Sequence, residues 1–267
     1  MSFGLIIIGD EILSGKREDK HLAQVIKMLS ERGLALSWAH YLGDDFAAIQ
    51  AFLKRSFNRN DIVFCTGGIG ATPDDHTRQA AAAAAEVPLA RHAEAARCIE
   101  LRANEIAIEK GLPSPVDMTT LENQQRLRMA DLPQGCELIP NPYNKIPGFS
   151  IGQHYFMPGF PVMAWPMVEW VLDTKYTHLF HKNEQRECSV IVFGAFEASL
   201  TPLMNDIETR FSDVKVFSLP SVGDATQPAH IELGVKGPIK HVDLAFGVLL
   251  DALEQLPKVR LGDKQHR

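Results

Sequence analysis

The chain opens on Gly4-Leu5-Ile6-Ile7-Ile8, apolar at every position and too short for a helix. Such a run predicts a central strand buried on both faces. From Asp19 to Arg32 the apolar residues Leu22, Val25, Ile26 and Leu29 return at helical spacing, and Gly33 supplies a stop. A strand is predicted near Leu34–Tyr41, a helix near Phe46–Phe57 and a strand over Asp61–Cys65. That βαβαβ order predicts an α/β fold: a mostly parallel sheet with helices on both sides. Helices follow over Arg78–Glu86 and His92–Lys110. The Pro-, Gly- and Ser/Thr-rich segment Gly111–Thr120 reads as a loop. Short strands are predicted near Glu137–Ile139, Phe149–Ile151 and His154–Met157, and a helix from Pro161 through Val171.

The pattern changes after about Lys175. Strand, helix, strand, strand and helix are predicted over Cys188–Phe193, Glu197–Phe211, Val214–Leu219, His230–Val235 and Val242–Leu256. This divides the chain into a first domain over 1–175, a small α+β domain over 184–257 and a tail over 258–267. The tail carries five charges and reads as frayed.

Composition narrows the class. The 267 residues are 45% apolar and 22% charged, enough for a real core in one large domain or two smaller ones. The net charge of −6 argues against bulk nucleic-acid binding. Cys65, Cys98, Cys136 and Cys188 form no CxxC pair, which excludes the usual structural zinc spacing and suits a reduced, cytoplasmic setting; their even number leaves a disulfide open. There is no basic segment before the first apolar run and no stretch of membrane-spanning length.

The chemistry gathers in three loops. Thr66-Gly67-Gly68-Ile69-Gly70-Ala71-Thr72-Pro73-Asp74-Asp75-His76-Thr77 joins a buried strand to an alanine-rich helix. Its glycines let backbone N–H groups approach a ligand, and its threonines and carboxylates suit a phosphate held with a divalent cation such as Mg2+. Gly9-Asp10-Glu11-Ile12-Leu13-Ser14-Gly15-Lys16 resembles a P-loop, but five residues separate Gly9 from Gly15 and Arg17 replaces the magnesium-binding Ser/Thr. Pro73 breaks the dinucleotide glycine pattern in the first loop. What remains is a pair of acidic glycine loops at the carboxyl ends of parallel strands, where ligands bind in open α/β sheets. Asp10 and Glu11 read either as a ligand contact or as a turn with a helix cap. Asp74 and Asp75 read either as N-capping residues or as metal ligands and catalytic groups. His76 reads as a solvent-facing first-turn histidine. Pro158-Gly159-Phe160-Pro161 forms a third loop, a ligand wall or a plain strand-to-helix turn.

These residues resemble a known family. Gly9–Gly15 resembles its G-D-E-L-L-x-G motif, Thr66–Thr77 its T-G-G-L/I-G-x-T-x-D-D-x-T, and Pro158–Pro161 its P-G-x-P. The chain is thereby similar to the molybdopterin-binding, MoaB/Mog-like domain over about 4–172, in the branch formed by the N-terminal part of CinA proteins. Residues 185–256 look like the small KH-like module that follows it, and the separate amidohydrolase domain of many CinA proteins is not expected in these residues. The resemblance implies a three-layer αβα fold, a molybdopterin or nucleotide ligand, a divalent metal on Asp74 and Asp75, and a dimer or trimer. It implies binding through Gly9, Asp10, Glu11, Ser14, Gly15, Thr66, Gly67, Gly68, Gly70, Thr72, Thr77, Pro158 and Gly159. Two chemistries occur among relatives, molybdopterin adenylylation and pyrophosphatase action on ADP-ribose or FAD; a non-catalytic ligand-binding or interaction module is the alternative for this chain.

The chain departs from that pattern twice. The N-P-x-G-T-A-P-G-F segment reads Asn141-Pro142-Tyr143-Asn144-Lys145-Ile146-Pro147-Gly148-Phe149, and Met163 replaces a glutamate. Lys145 is a candidate phosphate contact or a solvated cation. Gly234-Val235-Lys236-Gly237 has the G-x-x-G spacing of an RNA-binding KH loop, but reads as a strand end.

Overall fold

The computed structural model describes residues 2–182, 185–223 and 228–266. It divides into two units, Met1–Phe180 and His181–Arg267. Residue 184, the expected start of the second domain, lies outside the described residues.

The first unit runs β1 (Phe3–Ile8), α1 (Asp10–Leu13), α2 (His21–Ser30), β2 (Leu36–Leu42), α3 (Phe46–Phe57), β3 (Ile62–Thr66), α4 (Thr77–Ala84), β4 (Leu89–Arg91), α5 (Ala93–Glu109), α6 (Leu121–Leu127), β5 (Asp131–Pro133), β6 (Glu137–Ile139), β7 (Gly148–Ile151), β8 (His154–Met157) and α7 (Pro161–Lys175). Its main sheet has the order β2-β1-β3-β8-β7-β6. The pairs β1–β2, β1–β3 and β3–β8 are parallel, while β7 runs against both β8 and β6. Two-residue alternation explains why both faces are apolar. Phe3, Leu5, Ile7, Ile62 and Phe64 enter one core with residues of α2 and α7. Ile6, Ile8, Val63 and Cys65 enter a second core with residues of α3, α4 and α5. The result is three layers. Four of the α4 alanines, Ala80, Ala81, Ala82 and Ala84, are buried, so that helix seats close to its neighbours.

Four elements of this unit escape sequence periodicity. The one-turn α1 and the strands β4 and β5 are too short to show a period, and the Leu-Glu-Asn-Gln-Gln-Arg-Leu sequence of α6 has little apolar face. Thr120 caps α6 by accepting from Asn123 N at 3.4 Å. All four cysteines are free.

The second unit contains β9 (Gln185–Phe193), α8 (Glu197–Arg210), β10 (Lys215–Ser221), β11 (His230–Pro238), α9 (Ile239–Glu254) and β12 (Arg260–His266). Its antiparallel sheet has the order β10-β11-β9-β12. The expected frayed tail is corrected here, because β12 pairs with β9 from Arg260↔Phe193 to His266↔Cys188. Leu261 packs on the second unit's core, and the Arg260 guanidinium lies 4.8 Å from the Phe193 ring centre. The tail's charges therefore belong to an edge strand, where charge opposes edge-to-edge pairing. The G-x-x-G spacing lies inside β11, paired to β9 and β10, and forms no loop between helices. Among the described residues no helix is long and apolar enough to cross a membrane.

Candidate functional site

Strand order places the site. From β1 the chain moves outward to β2, then returns past β1 to β3, so a crevice opens where β1 and β3 end. Gly9 follows β1 and Gly67 follows β3, bringing the two predicted loops side by side. A cavity of about 410 Å³ occupies this crevice.

The glycine loop is held from behind. Gly67 and Gly68 have φ of +102° and +67°, a region that disfavours side chains. A Cβ on Gly67 would collide with the Ile8 carbonyl oxygen, and one on Gly68 with Thr77 Oγ1. Thr77 Oγ1 donates to Gly67 O at 3.0 Å, and Thr77 N to Gly68 O at 3.0 Å. The buried Arg78 guanidinium donates to Gly70 O at 2.7 Å, to Asp131 O at 3.2 Å and to Arg128 O. Burial pushes the Arg78 pKa down, and the charges of Asp75 and Asp131 oppose that shift. Thr77 and Arg78 thus fix the loop from α4.

The capping reading of Asp74 and Asp75 is corrected. α4 starts at Thr77, His76 occupies the N-cap position, and no side chain caps it. Asp75 Oδ2 instead accepts from Thr72 N at 2.8 Å and Thr72 Oγ1 at 2.5 Å, closing the loop on itself. Both aspartates line the cavity. His76 stacks edge-on against Phe46 and does not line it.

Asp10 and Glu11 have different placements. Both lie in α1. Asp10 N donates to Asp44 Oδ2 at 2.8 Å and Asp44 N to Asp10 Oδ1 at 3.2 Å, which ties two loops together. Glu11 lines the cavity and Asp10 does not. Asp44 also lines it; burial holds its pKa above the usual aspartate range, aided by the charges of Asp10, Glu11 and Asp74. Asp44 was not singled out from sequence, although an acidic pair just past a parallel strand, Asp44-Asp45 after β2, repeats the signal of the other loops.

Of the candidate ligand residues, Gly9, Gly67, Gly68, Gly70, Thr72, Pro158 and Gly159 line the cavity, whereas Ser14, Gly15, Thr66 and Thr77 do not. Gly15 serves the turn after α1 with φ +71°. Lys145 is outside the lining and pairs with Glu105. Its neighbour Asn144 does line the cavity, and Asn144 Nδ2 lies 3.6 Å from Met163 Sδ. The chain's two departures from the CinA pattern therefore meet in space. Met129, Leu132, Ile146, Phe160 and Met163 also line the cavity and make part of its wall apolar.

Glu11, Asp44, Asp74 and Asp75 offer only oxygen donors, which suits Mg2+ better than a thiolate- or imidazole-seeking metal. Among the described residues no three His, Cys, Asp or Glu side chains form a ready-made metal cage. Any cation here would have to draw most of its coordination from water and ligand phosphates.

Comparison with known proteins agrees with this architecture. A CinA-like protein of Citrifermentans bemidjiense is 36% identical over 220 residues, covering 81% of this chain and 50% of that one. A protein of Caldivirga maquilingensis is 27% identical over 258 residues, 94% of each chain. The chain spans about half the length of most of the curated CinA-like relatives it matches first. The solved structure of the protein CinA, with unknown function, from Thermoplasma acidophilum shares the fold with a TM-score of 0.52 and 24% identity, over 65% of this chain and 98% of that one. Residues 4–178, nearly all of the first unit, match the family model described as a probable molybdopterin binding domain, and the chain belongs to that family.

Proposed function

We propose that the first unit binds a molybdopterin- or nucleotide-type ligand, with its phosphate on the Gly67–Gly70 loop and its flat ring against the apolar wall. The carrying observation is the juxtaposition of that clamped, positive-φ glycine loop with four carboxylates and the apolar wall in one cavity. Backbone N–H groups favour phosphate. The four carboxylates outnumber the lining cations Arg17 and Arg78, so a divalent cation would help join phosphate to this cavity. Glu11, Asp44, Asp74 and Asp75 are the residues that would hold it. When bound, the ion would supply charge neutralisation to a phosphoryl group, the chemistry needed by a pyrophosphatase or a nucleotidyltransferase.

Two placements favour binding over hydrolysis. Lys145 is paired with Glu105, and the Asp75 carboxylate is engaged by Thr72. Calorimetry with ATP, ADP-ribose, FAD and molybdopterin, each with Mg2+ and then with EDTA, tests the proposal. At least one should bind only with the metal, and Asp74→Asn and Asp75→Asn should each weaken it by about tenfold or more. Metal-independent or absent binding of all four would overturn it. Product analysis of the same mixtures separates an enzyme from a binding module.

A further inference from the structure

The two cations that line the cavity, Arg17 and Arg78, are not equivalent. Arg78 is 3% exposed, and its two terminal nitrogens are spent on the carbonyls of Gly70, Arg128 and Asp131. Lys145, the cation expected from sequence, stands outside the cavity and pairs with Glu105. Arg17 is exposed. Among the described residues its guanidinium makes no hydrogen bond and no ion pair, although four carboxylates share the cavity. Its one ring contact is with Phe160, whose centre lies 6.0 Å from the guanidinium carbon.

The chain fixes the root of Arg17 and leaves its head open. Gly15, at φ +71°, turns the backbone after α1, and Arg17 N donates to Glu11 O at 2.9 Å. Phe160 is held from the other side. It follows Gly159, whose carbonyl accepts from His21 Nε2 at 3.0 Å, and it precedes Pro161, the first residue of α7. A ring contact of this kind positions a cation while leaving its fork of N–H donors for a ligand.

We infer that Arg17 is the anion-binding side chain of this cavity: its guanidinium takes a phosphate oxygen of the ligand, and Phe160 steers it there. The inference rests on the phosphate-ligand reading of the same cavity and adds the residue that sets its charge requirement. The glycine loop offers only partial charges on fixed N–H groups, and Arg78 is committed to backbone, so the one full positive charge the chain can lend a ligand here is that of Arg17. The P-loop comparison places a magnesium-binding hydroxyl at position 17. The arginine there contacts the anion directly instead.

The experiment is calorimetry in Mg2+ with ATP, ADP-ribose, FAD and molybdopterin, at low and at high NaCl. It compares the wild-type protein with Arg17→Gln and Arg17→Lys. Arg17 is exposed and unpaired, so both variants should unfold at the wild-type temperature. Any ligand that binds the wild type should bind Arg17→Gln about tenfold or more weakly. Arg17→Lys should recover part of that loss, because it keeps the charge and loses the fork. Added salt should weaken binding more steeply in the wild type than in Arg17→Gln. Unchanged affinity in Arg17→Gln, beside the loss expected in Asp75→Asn, would overturn the assignment and leave the glycine-loop reading standing. Equal losses in Arg17→Gln and Arg17→Lys, with the salt dependence of the wild type, would also overturn it, since that is the behaviour of a packing role independent of charge. Failure of all four ligands to bind the wild type would overturn both readings.

Discussion

The two ends of the main sheet bury polar groups in opposite ways. At the amino end, just before β3, Asp61 accepts from Ser2 Oγ at 2.5 Å, Trp38 Nε1 at 3.1 Å and the Arg59 guanidinium at 2.8 Å. Those partners, the Ser2 hydroxyl foremost, hold its carboxyl below the usual aspartate range. Nearby, Ser56 Oγ and His154 Nε2 are 2.7 Å apart and buried. At the carboxyl end, Asp44 faces Asp10, Glu11 and Asp74, and its pKa moves the other way. His21 Nδ1 and Thr66 Oγ1 have no partner at all. The amino end draws the partners of its buried aspartate from the protein itself, although Gln153 Oε1, just before β8, is unpaired too. The carboxyl end sets its carboxylates against one another instead.

The contrast can be broken by substitution. Gly67→Ala should have the largest effect. It forces a side chain onto the Ile8 backbone at a φ of +102°, costing about 3 kcal/mol or more in denaturant unfolding. A stable Gly67→Ala protein with unchanged ligand affinity would remove the rigid loop from the argument.

The amino end should be acid-sensitive through His154. Burial lowers its pKa from 6.5 to about 4. Below pH 6.5 the unfolded chain takes up a proton that the folded one refuses, so stability falls as pH drops from 6.5 towards 4. The loss attributable to this group is at most about 3 kcal/mol. Urea titrations across that range should show the slope, and His154→Gln should flatten it.

The two aspartates give the sharpest paired comparison. Asp61→Asn weakens a carboxylate that accepts three bonds and should cost about 1–3 kcal/mol. Asp44→Asn relieves like-charge repulsion while its amide oxygen still accepts from Asp10 N, so stability should stay within about 0.5 kcal/mol of wild type or rise. Mg2+-dependent ligand binding should fall in Asp44→Asn and persist in Asp61→Asn. Equal losses of stability in the two variants would show that the ends of the sheet do not differ as described.

Much of the fold was legible because its signals are local. The apolar run at residues 4–8, the helical spacing from Leu22 to Leu29 and the glycine loop each occupy a few adjacent residues whose period or backbone demand is visible in sequence. The glycine loop with its acidic tail was legible for the same reason. The second unit was legible as strands and helices, but β12 was not: its charges read as solvation, and only pairing with β9 explains them.

Other features depend on residues far apart in the chain. No spacing rule could bring Asp10 to Asp44, Asn144 to Met163 or His21 to Gly159, because those meetings follow from strand order and helix packing. The roles of Thr77, Lys145 and Asp75 were decided likewise: Thr77 turned back to hold Gly67, Lys145 found Glu105, and Asp75 closed on Thr72 rather than capping α4. Sequence determined which segments could make strands, helices and phosphate-compatible loops, since those are short-range properties of backbone and side chain. Tertiary structure decided which polar groups were paired and which were left open, since burial and partnership exist only once distant segments meet.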